Sequence, residues 1–215
     1  MSLFEDYFDL ECRACSRLSD FMNGVKEDYP DYHCRPVEPF GDPKADLLIV
    51  GLAPGKHGAN ASGRPFTGDF AGILLFRTLY EFGWSSAPES LHRSDGLTLS
   101  RCRLTNAVKC LPPENKPVGA ETRRCNPFLA AEIATLKPGN LILALGGIAH
   151  RATLMALGLR QAEYQFGHDN LHHLPTGVNL LDSYHCSRYN TQTRRLTPAM
   201  FKEVFAHAQR LLNQQ

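Results

Sequence analysis

The chain has 215 residues, 43% hydrophobic and 21% charged, with a formal net charge of +1. That is enough chain for one compact α/β domain, and the ordinary composition argues against a disordered or fibrous protein. The near-zero charge leaves a nucleic-acid partner to local basic patches, and no apolar run is long enough to span a bilayer.

The N-terminus, MSLFEDYFDLEC, lacks a basic segment leading into an apolar one. It therefore predicts a cytoplasmic protein, not a secreted one. In chain order, the β-rich apolar runs are DLLIV (46–50), CRLTNAV (102–108), NLILALG (140–146) and GVNLLDSY (177–184). Between and after them come stretches with helical spacing: 70–83, closed by Gly83; 121–136, with Pro127 in its early turns; 148–158, after a Gly-Gly; and 198–212. The last opens with Thr197 as N-cap and Pro198 at the first helical position. Strands alternating with helices predict a three-layer α/β/α sandwich around a four-stranded parallel sheet. With no internal repeat or linker, residues 1–215 read as a single domain.

This order gathers the unusual residues at one edge. The loop GLAPGKHGANASGRPFTGD (51–69) leaves the first strand, Asn106 ends the second, Gly146-Gly147 ends the third and His185 follows the fourth. Open parallel sheets bind ligands beyond the carboxyl ends of their strands. The Gly-Lys pair of the loop is not a phosphate loop. Counted from Gly51, Lys56 stands where the second glycine is required; aligned instead on Gly55-Lys56, the motif puts His57 where the magnesium-binding hydroxyl is required.

Seven cysteines in a cytoplasmic setting read as ligands, catalytic groups or packing residues. Cys12 and Cys15 form a C-x-x-C, which alone fits zinc, a redox dithiol or chance. Cys110 and Cys125 flank a Pro-rich loop. Four thiolates at these unequal spacings fit a [4Fe–4S] cluster at least as well as zinc. Cys34, Cys102 and Cys186 read as packing residues.

The segments GLAPGKHGAN…GRPFTGD, LTNAVKCLPPENKP and YHCSRYNTQTRRLT, in that order behind CRAC, resemble the uracil-DNA glycosylase superfamily, most closely its iron–sulfur type 5 (B-type) members. The likeness runs over about residues 10–205. It implies a [4Fe–4S] cluster on Cys12, Cys15, Cys110 and Cys125. It implies hydrolysis of the N-glycosidic bond of uracil, and possible action on other deaminated bases, in DNA. Asp69, Asn106 and His185 match the family's catalytic positions: Asp69 as the carboxylate, Asn106 on the pyrimidine edge, His185 on the leaving-base oxygen. Gly51, Leu52, Ala53 and Phe66, with Asn106, match the base pocket, Phe66 as the stacking ring. Gly55, His57, Ser187, Arg188 and Tyr189 match the DNA-contacting positions, with Arg188 or Tyr189 as wedge.

Each residue also has an ordinary structural reading: Phe66 in the core, Asn106 at a strand end, Asp69 as a helix N-cap. Two departures stand out. Many relatives have His-Pro-Ser where this chain has His185-Cys186-Ser187, and Arg-Thr where it has Ala61-Ser62. Ala53 leaves room for a purine such as hypoxanthine. The competing reading is a metal-stabilised nucleic-acid-binding module without catalysis, and one-at-a-time base excision needs only a monomer.

Overall fold

The computed structural model describes residue 4 and residues 7–213. In chain order its elements are α1 (Ser16–Asp28), β1 (Phe40–Gly41), β2 (Leu47–Gly51), α2 (Ala59–Ser62), α3 (Phe70–Glu81), β3 (Cys102–Asn106), α4 (Gly119–Ala134), β4 (Leu141–Leu145), α5 (Gly147–Ala156), β5 (Leu171–His173), β6 (Asn179–Ser183), α6 (Arg188–Gln192) and α7 (Pro198–Asn213).

The sheet has the order β1-β3-β2-β4-β6-β5. The four inner strands are parallel, as expected from the apolar runs. The expectation of four strands is corrected to six: β1 and β5 add short antiparallel edges. These edges are two and three residues long, too short for any alternation to register in the sequence.

Alternation within the inner strands sends side chains to two cores. Leu47 and Ile49 of β2 join Leu75, Phe76 and Leu79 of α3 and Phe201, Val204 and Phe205 of α7. Leu48 and Val50 face the other way, onto Leu129 and Ile133 of α4 and Ala149 and Ala152 of α5. The two helical layers follow from that division. No described helix is long and apolar enough to cross a membrane.

Helix ends follow local chemistry. Gly83 lies just past α3 at φ 79°, and the Trp84 and Gly83 amides donate to the Leu79 and Tyr80 carbonyls. This is the paired closure that favours glycine at that position. The Met200 amide donates to Thr197 Oγ1 at 3.2 Å, the cap expected for α7.

The chain leaves β2 toward β3 on one side and later returns to β4 on the other. β2 is thus the point where strand order reverses, and its carboxyl end opens the crevice that such sheets use for ligands.

Candidate active site

A cleft of about 570 Å³ opens beyond the carboxyl ends of the parallel strands. Leu52, Ala53, Gly55, Phe66, Asp69, Asn106, His185, Ser187, Arg188 and Tyr189 all line it. The residues that the sequence scatters over more than a hundred positions therefore meet in one place.

Gly51, at the end of β2, does not line the cleft but packs beneath two residues that do, Asn106 and Phe66. It pairs in register with Asn106 across β2 and β3. A Cβ on Gly51 would lie 2.5 Å from Asn106 Oδ1 and 2.6 Å from Phe66 Cζ. The bare glycine is what lets the amide and the ring approach each other. Phe66 itself has φ 61°, a left-handed conformation costly for a bulky residue. Its carbonyl lies where a Cβ of Gly72 would stand, at 2.1 Å. A strained aromatic over a buried amide is the kind of backbone outlier that clusters at ligand sites.

Asp69 stands at the N-cap position of α3, but its side chain makes no cap there. It turns back into the glycine loop, and Oδ2 accepts the Ala59 amide at 3.1 Å. Gly55 and Gly58 make the space: a Cβ on either would lie 2.1 Å from Oδ1. Burial raises the pKa of Asp69, while the backbone N–H groups of Ala59 and Gly55 oppose that rise. The result is a shielded carboxylate fixed by backbone donors.

His185 follows β6 and packs beside Gly146, whose Cβ would stand 3.4 Å from the histidine Cβ. Burial pushes its pKa down to about 4, so the ring is neutral at pH 7. A neutral imidazole carries one N–H donor. Among the described residues no group hydrogen-bonds the His185 ring or the Asn106 amide, so their polar atoms are available to a ligand. The Asn190 amide group donates to the His185 carbonyl at 2.8 Å, tying α6 to the strand end.

The outer rim is aromatic and basic. Tyr189 is 71% exposed and Phe70 37%. Arg188 lies over the Phe70 ring at 4.9 Å and Arg195 over Tyr184 at 4.7 Å. His57 lies outside the cleft lining. It is exposed on the glycine loop, where Tyr32 Oη sits 2.9 Å from its Nδ1 and Tyr29 meets its ring edge-on.

Both departures from the family pattern turn inward. Cys186 is buried and its thiol donates to the Ala71 carbonyl at 3.4 Å. Ser62 Oγ donates to the Arg64 and Thr67 carbonyls at 3.3 and 3.2 Å, bracing the loop beneath Phe66. Sequence reasoning missed Phe166, Ile148, Tyr184 and Asn115 in the lining. Asn115 had a signal in the Pro-Pro-Glu-Asn turn beside Cys110; Phe166 had none, because its segment lacks periodicity.

Cys12, Cys15, Cys110 and Cys125 also converge, around one small pocket with Leu18, Val108 and Phe128. Cys12 and Cys15 precede α1, Cys110 follows β3, and Cys125 lies in α4. The Lys109 amide donates to Cys125 Sγ at 3.3 Å. Burial raises the pKa of Cys110, with the other three thiols adding to the rise, and pushes Cys125 up to about 11. Four thiols sharing one small pocket make a donor set that suits a thiophilic cation or cluster.

A family model described as the uracil DNA glycosylase superfamily matches residues 38–209. The chain belongs to this superfamily. It is 47% identical over 205 residues to a type-5 uracil-DNA glycosylase of Thermus thermophilus, covering 93% of each chain. A Mycobacterium tuberculosis relative of the same name is 41% identical over 209 residues, covering 93% of this chain and 78% of its own. One from Pyrobaculum aerophilum is 37% identical over 211 residues, covering 95% and 92%. The superfamily match spans the glycine loop, the carboxyl ends of the four parallel strands and most of α7, so the cleft lies inside the matched region.

Proposed function

We infer that this chain is a monofunctional DNA glycosylase that removes uracil from DNA by hydrolysing its N-glycosidic bond. The observation that carries the reading is the meeting of Asp69, Asn106 and His185 around one cleft floored by Phe66, in a chain of this superfamily. A non-catalytic binding module would give these three residues no joint task.

The chemistry follows from their surroundings. A base inside duplex DNA is out of reach, so it must be flipped into the cleft. Phe66 stacks on it. The Asn106 amide offers a donor and an acceptor to the pyrimidine edge. As the bond from C1′ to the base breaks, positive charge develops on the sugar and negative charge on the base. The His185 N–H donates to the base oxygen that gains charge. Because the ring is neutral, it stabilises that charge without delivering a full proton. Asp69 faces the sugar side as a carboxylate, stabilises the cation and takes a proton from the water that adds at C1′. The products are free base and an abasic site. Backbone N–H groups of the Gly51–Gly55 turn, His57 and the Ser187-Arg188-Tyr189 rim form the DNA grip, with Arg188 or Tyr189 filling the vacated stack.

We assign a [4Fe–4S] cluster to Cys12, Cys15, Cys110 and Cys125, because all four donors are thiols sharing one pocket. The group would tie the segment before α1 to α4; the cleft residues above perform the reaction. The chain acts as one domain and as a monomer, on uracil-containing DNA, in the cytoplasm. Two measurements test the reading. Duplex DNA with a single uracil, treated with the protein and then alkali, is expected to break at the uracil; intact strands at stoichiometric protein would refute it. Protein prepared without oxygen is expected to be brown with four irons per chain; colourless protein with stoichiometric zinc would refute the cluster.

A further inference from the structure

Behind the cleft wall lies a second cluster that the reaction does not use. His150 of α5, His172 of β5 and Asp182 of β6 bring one ligand atom each within 4.8 Å of one another. The side chains of His150 and Asp182 are 2% and 0% exposed, and that of His172 is 10% exposed. His150 Nδ1 lies 2.8 Å from Asp182 Oδ1, and His172 Nε2 lies 3.2 Å from Asp182 Oδ2. Oδ2 also accepts the Gly167 amide at 3.3 Å.

The hydrogen-bond inventory of this cluster does not close at His150 with one ring proton. His150 Nε2 lies 2.9 Å from the Tyr164 carbonyl oxygen, which can only accept. That contact places the ring proton on Nε2 and leaves Nδ1 with its lone pair facing a carboxylate. At His172 the same nitrogen, Nε2, meets both Asn170 and Asp182. Asn170 Nδ2 is oriented by the Gln165 carbonyl at 2.8 Å, and its second hydrogen faces His172 Nε2 at 3.4 Å. That contact is longer than the 3.2 Å from Nε2 to Asp182 Oδ2, so Nε2 faces the carboxylate first, as an N–H donor in one neutral tautomer and as a metal-ligating lone pair in the other. Two ring nitrogens and a carboxylate thus converge on one buried spot, where a cation would satisfy the His150 lone pair and the carboxylate together.

We propose that His150, His172 and Asp182 form a binding site for one divalent transition-metal ion of the zinc class. Two imidazoles and a carboxylate are a donor set that zinc accepts, with a fourth position left over. The Nε2–H bond from His150 to the Tyr164 carbonyl is the outer-sphere contact that typically orients a metal-bound histidine. Access is from the β5 edge, through the partly exposed His172. The site is separate from the four cysteines, which lie on α1, the β3 end and α4. It does adjoin the cleft: the His150 ring sits 5.7 Å from Phe166, and Phe166 lines the cleft beside Tyr184. An ion here would brace the wall against which a flipped base rests.

The test uses full-length protein with its cysteine site loaded as purified. Crystals are grown with zinc, and anomalous density is measured at the zinc edge. Equilibrium dialysis against buffered zinc gives the stoichiometry in solution. The expected result is a zinc peak among the three side chains and one exchangeable zinc per chain. Affinity should fall at least about tenfold in His172→Gln and in His150→Gln. Two variants at different elements guard against one that fails to fold, and wild-type dialysis decides independently of both. No retained zinc in the wild type, a zinc peak only at the cysteines, or wild-type affinity in both folded variants would overturn the proposal and leave a proton as the bridging cation.

Discussion

At Gly58 the backbone carries no Cβ, and the Asp69 carboxylate occupies that space. A Cβ there would sit 2.1 Å from Oδ1 and 2.2 Å from Cγ. Gly58→Ala is therefore expected to displace the carboxylate without touching the base pocket. Misplacement of a reacting group by about 1 Å costs on the order of 100-fold in rate. Single-turnover excision should slow by that much while binding to uracil DNA is retained; an unchanged rate would detach Asp69 from the chemistry. His185 carries a pH prediction. Its pKa in the fold is about 4, below the ordinary 6.5. Between those values the unfolded chain takes up a proton that the folded chain refuses. The stability this group contributes is thus present above pH 6.5 and lost as pH falls toward 4. His33 and His168, both lowered by burial, act in the same direction. Urea midpoints should fall from pH 7 to pH 5, less steeply in His185→Gln. An identical slope in the variant would contradict the burial of that ring. At this scale the sequence showed residue types and order, and the resemblance supplied their roles. It did not show that Asp69 turns away from its own helix, because an N-cap aspartate and a loop-bound one have the same neighbours in sequence.

Among the elements, α4 holds Cys125 and borders the cysteine pocket. Its first turn is closed by Glu121, whose Oε2 accepts the Val118 amide at 2.8 Å. The same carboxylate meets Arg17 at 2.8 Å through both Oε1 and Oε2. Arg17 lies two residues after Cys15, so this contact joins α1 to α4 across the cysteine site. Its charge is screened by solvent and adds little by itself; the helix-end bond is worth about 1 kcal/mol. Glu121→Ala should lower unfolding stability by roughly that amount and hasten iron loss to a chelator. Unchanged iron release would mean that the helix end does not restrain the cysteines. The four long apolar strands and the helices with a strong apolar stripe were legible because periodicity is a burial signal. α1 was not, because it buries only Leu18, Ser19, Met22 and Val25 of its thirteen residues. The four-residue α2 and five-residue α6 are too short for a period to appear.

For the whole molecule, the decisive property is strand order. Placing β2 between β3 and β4 brings Leu52, Asn106 and the β4 end to one crevice, and β6 beside β4 adds His185. Alternating strands and helices predicted that edge but not the wall opposite it. Phe166 and the His150–His172–Asp182 cluster come from segments whose proximity arises only when β5 folds back on β6. The glycine loop that resembled a failed phosphate loop is, in three dimensions, a socket for a carboxylate. Whether that carboxylate takes part in the reaction is decided by single-turnover excision of uracil from duplex DNA by wild type and by Asp69→Ala, with folding checked by thermal melts. Wild type is expected to release uracil rapidly and the variant to be slower by about 100-fold or more, with DNA binding intact. A folded Asp69→Ala variant that releases uracil at the wild-type rate would contradict a catalytic role for Asp69.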